Sequence, residues 1–282
     1  MLPWILAALL LTPLVLAAWA YVHLSRLPAK KKKKWFTKSV NKVFTWFENV
    51  GLMGRTPAYQ REYHRMYPGL AELEAAHGDV KAECLALLGI KDHLTDMQDL
   101  GAGYTAGGIH KAQWKAFMFA SGGRFVAENC ARAPKTAALL QRIPNMDNAF
   151  LSVLDPEQYI TPHWGYYKGF LRYHLGVVIP ENNANERCWL RVNDDLEDNR
   201  QDDKDLIARG EKYHWHEGEG IIFDDNYLHD AANESKEVRV VLWLDMRRPM
   251  PFYASIFNKL VLWFVGRDAS VEKIRRKALV ET

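Results

Sequence analysis

Cysteine is scarce in this 282-residue chain: Cys84, Cys130 and Cys188 lie far apart, odd in number and without a CxxC pair. That spacing supports neither a disulfide framework nor a zinc knuckle, and it suits a reducing compartment. The chain also lacks G-x-G-x-x-G, Walker A and G-x-S-x-G patterns, so dinucleotide-binding, P-loop and α/β-hydrolase readings have no motif behind them. Nor is there an excess of positive charge on the main body. Residues 1–50 hold eight basic groups and one acid, leaving 29 basic and 33 acidic groups beyond, so the net charges are +7 and −4. A nucleic-acid-binding surface on the main body is not supported. What the chain does have is apolar material, 48% of its residues, enough for a packed core and too much for a disordered or collagen-like protein.

Charge is absent altogether from residues 2–24. A helix crosses a bilayer with about 20 apolar residues, so residues 1–25 are expected to form a transmembrane anchor, with Trp4, Trp19 and Tyr21 at headgroup level. The competing reading is a cleaved signal with Ala18-Trp19-Ala20 as its cleavage site, but no basic residue precedes the apolar stretch. Arg26 and the five lysines at 30–34 follow it, which predicts a single-pass membrane protein with the remaining chain in the cytoplasm. Residues 26–67 read as a basic juxtamembrane and amphipathic linker, with Trp35, Phe36, Val40, Val43, Phe44 and Phe47 at helical spacing. At the other end, residues 251–282 form an apolar and then basic segment, either an interfacial helix or an ordinary core helix.

Between these ends the pattern changes once. Residues 68–88 carry apolar groups at a helical period, and 134–140 read as another helix behind Pro134. A Gly-rich loop at 101–108 precedes an apolar segment at 114–120. From Ala149 onward the runs 150–154, 170–179, 188–192, 220–223 and 238–244 are short, β-rich and separated by Gly, Pro, Asn and Asp, which predicts a sandwich or barrel. An acidic insertion at 193–212 lacks the spacing of a calcium loop and reads as a solvated excursion.

The β-rich part also holds the residues that carry chemistry: Pro162-His163-Trp164-Gly165, Arg172-Tyr173-His174, Phe223-Asp224-Asp225 through His229, and Arg239 among Val238, Val240 and Val241. Neutral imidazoles suit iron(II), and an inward arginine suits a carboxylate. Arg172 and His174 are two apart and face one side of a strand. Arg239 sits in a run too apolar for a surface charge, so it needs an anion: a bound carboxylate, or Asp224, Asp225 or Asp245. His214 and His216 are read as packed or exposed rather than ligating.

The run from Ser152 to Pro249 resembles the aspartyl/asparaginyl β-hydroxylase family of iron(II)- and 2-oxoglutarate-dependent dioxygenases, and within it the membrane-bound bacterial lipid A 2-hydroxylase-like proteins. The resemblance implies a mainly β domain with flanking helices, a double-stranded β-helix or jelly roll, here following an N-terminal transmembrane helix. That domain would span residues 68–250, its core at about 149–247. By the same resemblance His163 and His229 would bind iron, Ser152 and Arg239 would hold the distal carboxylate of 2-oxoglutarate, and Arg172 and His174 would contact its metal-proximal end. Many such oxygenases place an Asp two residues after the first histidine. Gly165 stands there instead, as in the protein-directed branch. The implied reaction uses O2 and converts 2-oxoglutarate to succinate and carbon dioxide while hydroxylating an unactivated C–H bond. The expected substrate is an acyl chain of a membrane lipid. The alternatives are a peptidyl Asp/Asn substrate and a non-catalytic, membrane-tethered barrel.

Overall fold

Most of the strand-forming runs pair into two antiparallel sheets. The computed structural model describes residues 28–100 and 112–280, within a chain that divides into two compact units, 1–46 and 47–282. Helix α1 (Ala29–Asn49) is the described part of the first unit and runs into the second. Beyond it the strands are β1 (Tyr59–Gln60), β2 (Thr95–Asp96), β3 (Trp114–Ser121), β4 (Arg124–Phe125), β5 (Met146–Leu154) and β6 (Gln158–His163). They continue as β7 (Phe170–Val178), β8 (Cys188–Val192), β9 (Glu211–His214), β10 (Gly220–Phe223), β11 (His229–Asn233) and β12 (Arg239–Arg247). The helices of this unit are α2 (Gly69–Ala75), α3 (His77–Leu88), α4 (Ala127–Arg132), α5 (Pro134–Gln141), α6 (Phe252–Val265) and α7 (Ala269–Lys277).

The larger sheet runs β1-β10-β7-β12-β5-β3-β2, with β4 beside β3, and the smaller runs β6-β11-β8-β9. From β5 to β12 the chain passes back and forth between the sheets, except that β8 and β9 share one. Strands β5, β7 and β12 carry apolar residues on both faces because both are covered. Leu151, Val153, Leu175 and Leu242 pack with Leu70, Leu73, Val80 and Leu87 of the helices. Phe150, Leu154, Val241 and Trp243 pack with Leu190, Val192 and Ala231 of the smaller sheet. Each side chain so buried contributes about 1.5–3 kcal/mol. Truncating Leu242, central and fully buried, to Ala would cost about 2–5 kcal/mol.

Two sequence expectations change, and one segment left unassigned becomes a strand. Residues 68–88 form two helices, broken at Ala76, whose φ of −91° and ψ of 14° leave the helical region. The apolar segment at 114–120 is strand β3, hydrogen-bonded to β5. The single-pass membrane arrangement is not supported either, since no helix among the described residues is long and apolar enough to cross a bilayer. Helix α1 has 21 residues but seven are lysines, and the apolar α6 has only 14. The expected anchor at 1–25 and the Gly-rich loop at 101–108 lie outside the described residues.

Candidate active site

Strand β6 ends and β11 begins at the same level, which sets His163 opposite His229 in register. Their ring centroids lie 4.1 Å apart. Each ring is held by the carbonyl two residues before it: His163 Nδ1 donates to Thr161 O and His229 Nδ1 to Tyr227 O, both at 2.8 Å. A carbonyl only accepts, so Nδ1 carries the proton in both rings and each Nε2 keeps its lone pair. Burial lowers the His163 pKa to about 4. Burial, and then the neighbouring His163, holds His229 well below its ordinary value. Two neutral imidazoles with free Nε2 atoms therefore share one wall of a cavity.

The opposite wall comes from the larger sheet. Arg239, at the start of β12, is fully buried against the ring of Trp215, 4.6 Å away, and its Nε and Nη1 have no hydrogen-bond partner. Burial lowers its pKa to about 10, which leaves it a cation at neutral pH. Both ring nitrogens of His174 and the Trp215 Nε1 are likewise buried and unpartnered. Burial, followed by the Arg172 and Arg239 charges, drives the His174 pKa far down. Ser152 Oγ accepts from Trp114 Nε1 at 2.8 Å, which leaves its own hydroxyl proton available. All six candidate residues line this one cavity.

Arg172 lines the cavity on different terms. Its guanidinium stacks 3.8 Å from the Trp243 ring, donates to Asp225 Oδ2 at 2.8 Å and reaches Asp245 Oδ1 at 3.3 Å. Trp243 Nε1 and Asn148 Nδ2 complete Asp245, at 2.9 and 2.8 Å. Carboxylates considered as partners for Arg239 thus belong to Arg172, while Asp224 pairs with Arg248 at 2.6 Å.

Gly165 has a steric reason. Its N–H donates to Asp225 O at 2.6 Å. A Cβ there would stand 2.3 to 2.5 Å from all three atoms of the Asp225 carboxyl group. Burial raises the Asp225 pKa to about 6 against the opposing pull of Arg172. Sequence reasoning offered Asp225 as a partner for Arg239 rather than Arg172, and missed Trp114. The adjacent acids after an apolar run were the available signal for the first, and nothing local marked the second. His214 and His216 do not line the cavity, and His216 Nδ1 bonds Asn182 O at 3.0 Å.

No group of three or more His, Cys, Asp or Glu among the described residues could hold a metal ion. What fits here is a two-imidazole site. Its free lone pairs suit a divalent iron, and the unpartnered donors opposite suit a carboxylate.

The comparisons with known proteins point to hydroxylases. Residues 74–249 match the family model described as Aspartyl/Asparaginyl beta-hydroxylase. The ornithine lipid ester-linked acyl 2-hydroxylase of Rhizobium tropici is 29% identical over 226 residues, covering 79% of this chain and 73% of that protein. Aspartate beta-hydroxylase domain-containing protein 2 of Mus musculus is 30% identical over 159 residues, 53% of this chain and 40% of that one. The aspartyl/asparaginyl beta-hydroxylase of Homo sapiens is 28% identical over 144 residues, 49% of this chain and 16% of that one. The chain thus spans less than half the length of these two mammalian relatives. Matched by the family model over more than half of its residues, the chain belongs to the aspartyl/asparaginyl β-hydroxylase family.

Proposed function

We propose that this protein is an iron(II)- and 2-oxoglutarate-dependent hydroxylase acting on the acyl chain of a lipid. The observation that carries the cofactor assignment is the cavity itself, with two free imidazole lone pairs on one wall and a buried guanidinium without an acceptor on the other. Iron, 2-oxoglutarate and O2 together supply the oxidation that places a hydroxyl on an unactivated carbon. His163 and His229 hold the metal through Nε2, their tautomers set by Thr161 and Tyr227. Arg239 and the Ser152 hydroxyl hold the distal carboxylate of 2-oxoglutarate. His174, with both ring nitrogens unpartnered, offers its N–H near the other end, with Arg172 beside it. The apolar lining from Ile160, Leu190, Phe223 and Trp243 excludes water around these groups. The finer fold reading is a double-stranded β-helix, supported by β10-β7-β12-β5 facing β6-β11-β8-β9. The catalytic domain is assigned to residues 68–250, with 26–67 as a linker and 251–282 as a C-terminal segment.

A lipid substrate is supported by the extent of the likeness to the Rhizobium protein, over 79% of this chain. It is supported too by α6, where Phe252, Ile256, Leu260, Trp263 and Phe264 recur at helical intervals and are all exposed, while Ala254, Asn258 and Val261 on the other side are buried. Such an exposed apolar face suits contact with acyl chains. A peptide substrate is the second reading, favoured by Gly165. The test is lipid mass spectrometry on cells expressing the wild type or His163→Ala. The expected result is an acyl species with one added oxygen in the wild type alone. Its absence, together with succinate formation on an Asp/Asn peptide, would favour the second reading.

A further inference from the structure

The acidic insertion between β8 and β9 is built as a turn. Asp195 Oδ1 accepts the N–H groups of Glu197 and Asp198 at 2.7 and 2.9 Å. Asp198 is buried, taking Asn193 Nδ2 at 2.9 Å and Arg209 Nη1 at 2.8 Å. These bonds set the position of one further side chain, that of Asn199.

Every hydrogen-bonding valence of the Asn199 amide is used. Nδ2 donates to the carbonyls of Asn193 and Asp195, both at 2.7 Å. Oδ1 accepts Trp164 Nε1 at 3.2 Å and the Leu228 backbone N–H at 2.6 Å. Two carbonyls face the amino group and two N–H donors face the oxygen, so only one orientation of the amide fits. Trp164 directly follows His163 and Leu228 directly precedes His229. One amide oxygen thus bridges the two chain segments that carry the imidazoles, and Asn193 N–H adds a bond to Leu228 O at 2.9 Å.

We propose that Asn199 is a positioning residue that holds His163 and His229 at the separation where both reach one metal ion. This rests on the reading of those histidines as the iron ligands. With two protein ligands and no third side chain at Gly165, the site's geometry depends on what fixes the two strands beside each other. Strand pairing does so on one side, and the insertion supplies a second tie.

The experiment uses the full chain without metal, titrated with Mn(II) alone by calorimetry and melted in parallel. The variants are Asn199→Ala, Trp164→Phe, which deletes only one N–H and keeps a ring, and Asp202→Ala, an exposed position in the same insertion. Loss of an outer group that orients metal ligands weakens affinity by about 10–100-fold. Asn199→Ala is expected to weaken Mn(II) binding about tenfold, Trp164→Phe by less but measurably, and Asp202→Ala not at all. A change in melting temperature alone, with Mn(II) affinity unaltered in folded Asn199→Ala and Trp164→Phe, would overturn the proposal. If Asn199→Ala fails to fold, Trp164→Phe decides the question by the same affinity criterion. Failure of the wild type to bind Mn(II) would instead remove the histidine assignment on which the proposal stands.

Discussion

The two walls of the cavity are opposites in hydrogen-bonding character. The smaller sheet presents lone pairs that lack a donor, on the Nε2 atoms of His163 and His229. The larger sheet presents donors that lack an acceptor, on Arg239 and His174, with the Trp215 Nε1 of the β9–β10 connection beside them. Buried polar groups are rarely left this way, because an unmade bond costs about 1–3 kcal/mol. A cation completes one wall and an anion the other, and the division shows where each belongs. Arg172 sharpens the contrast, since it lies on the donor wall with Asp225 and Asp245 already taking up its charge.

The largest expected effect separates Arg239 from Arg172. Replacing Arg239 with Met removes the only guanidinium on that wall without a carboxylate partner. The 2-oxoglutarate dissociation constant, measured by titration of the Mn(II)-loaded protein, is expected to rise at least about 100-fold. The ligand-free protein is expected to melt a few degrees higher, because an uncompensated buried charge has gone. A lower melting temperature would mean that Arg239 is already satisfied without a ligand.

Next comes Gly165→Asp, which asks whether the lone-pair wall accepts a third ligand. Its Cβ collides with the Asp225 carboxyl, itself fixed by Arg172, so the substitution displaces a buried ion pair. Such overpacking costs about 1–3 kcal/mol. Gly165→Ala is expected to lower the melting temperature in the same way, and neither variant is expected to gain 2-oxoglutarate turnover. A gain with Asp alone would show that the carboxylate had entered the site.

The smallest effect is on pH. His163 falls from 6.5 in the unfolded chain to about 4 in the native state, and His174 and His229 shift in the same direction. The unfolded chain therefore binds more protons below 6.5, so the stability these rings contribute is present above that value and is lost toward pH 4. Asp225, raised to about 6, acts oppositely over part of the range, and three imidazoles outweigh it. Melts of metal-free protein from about pH 7 to about pH 4 should show falling stability. A flat profile would contradict the burial of these rings.

Strands β5, β7, β8, β10 and β12 were legible because β-branched and aromatic residues fill them. The two strands that carry the imidazoles were not. In β6 the short run Tyr159-Ile160-Thr161 is cut by Pro162, which hides the strand in the sequence and is tolerated because β6 is an edge strand. Strand β11, His229-Asp230-Ala231-Ala232-Asn233, has no β-branched residue. It is a strand because β6 and β8 flank it, and its polar groups are met from elsewhere: Asp230 by Arg191 and Tyr159, and the Asn233 amide by the carbonyls of Leu154, Asp155 and Glu237. The exposed apolar side of α6 was open in the sequence as well, since periodicity does not tell which face of a helix with apolar residues on both sides is covered.

The sequence by itself determined the period-two placement of Arg172 and His174 on one side of a strand, an arginine embedded in valines, and a glycine where many related oxygenases place an Asp. Those are local properties, set by alternation along a strand and by the identity of single residues. Only the tertiary structure decided that His163 and His229 stand in register, that the carboxylates go to Arg172 and leave Arg239 open, and that Asn199 reaches both histidine segments. Each of these depends on strand pairing and on contacts between residues far apart in the chain, where the partner of a buried charge is set by the packing of whole sheets.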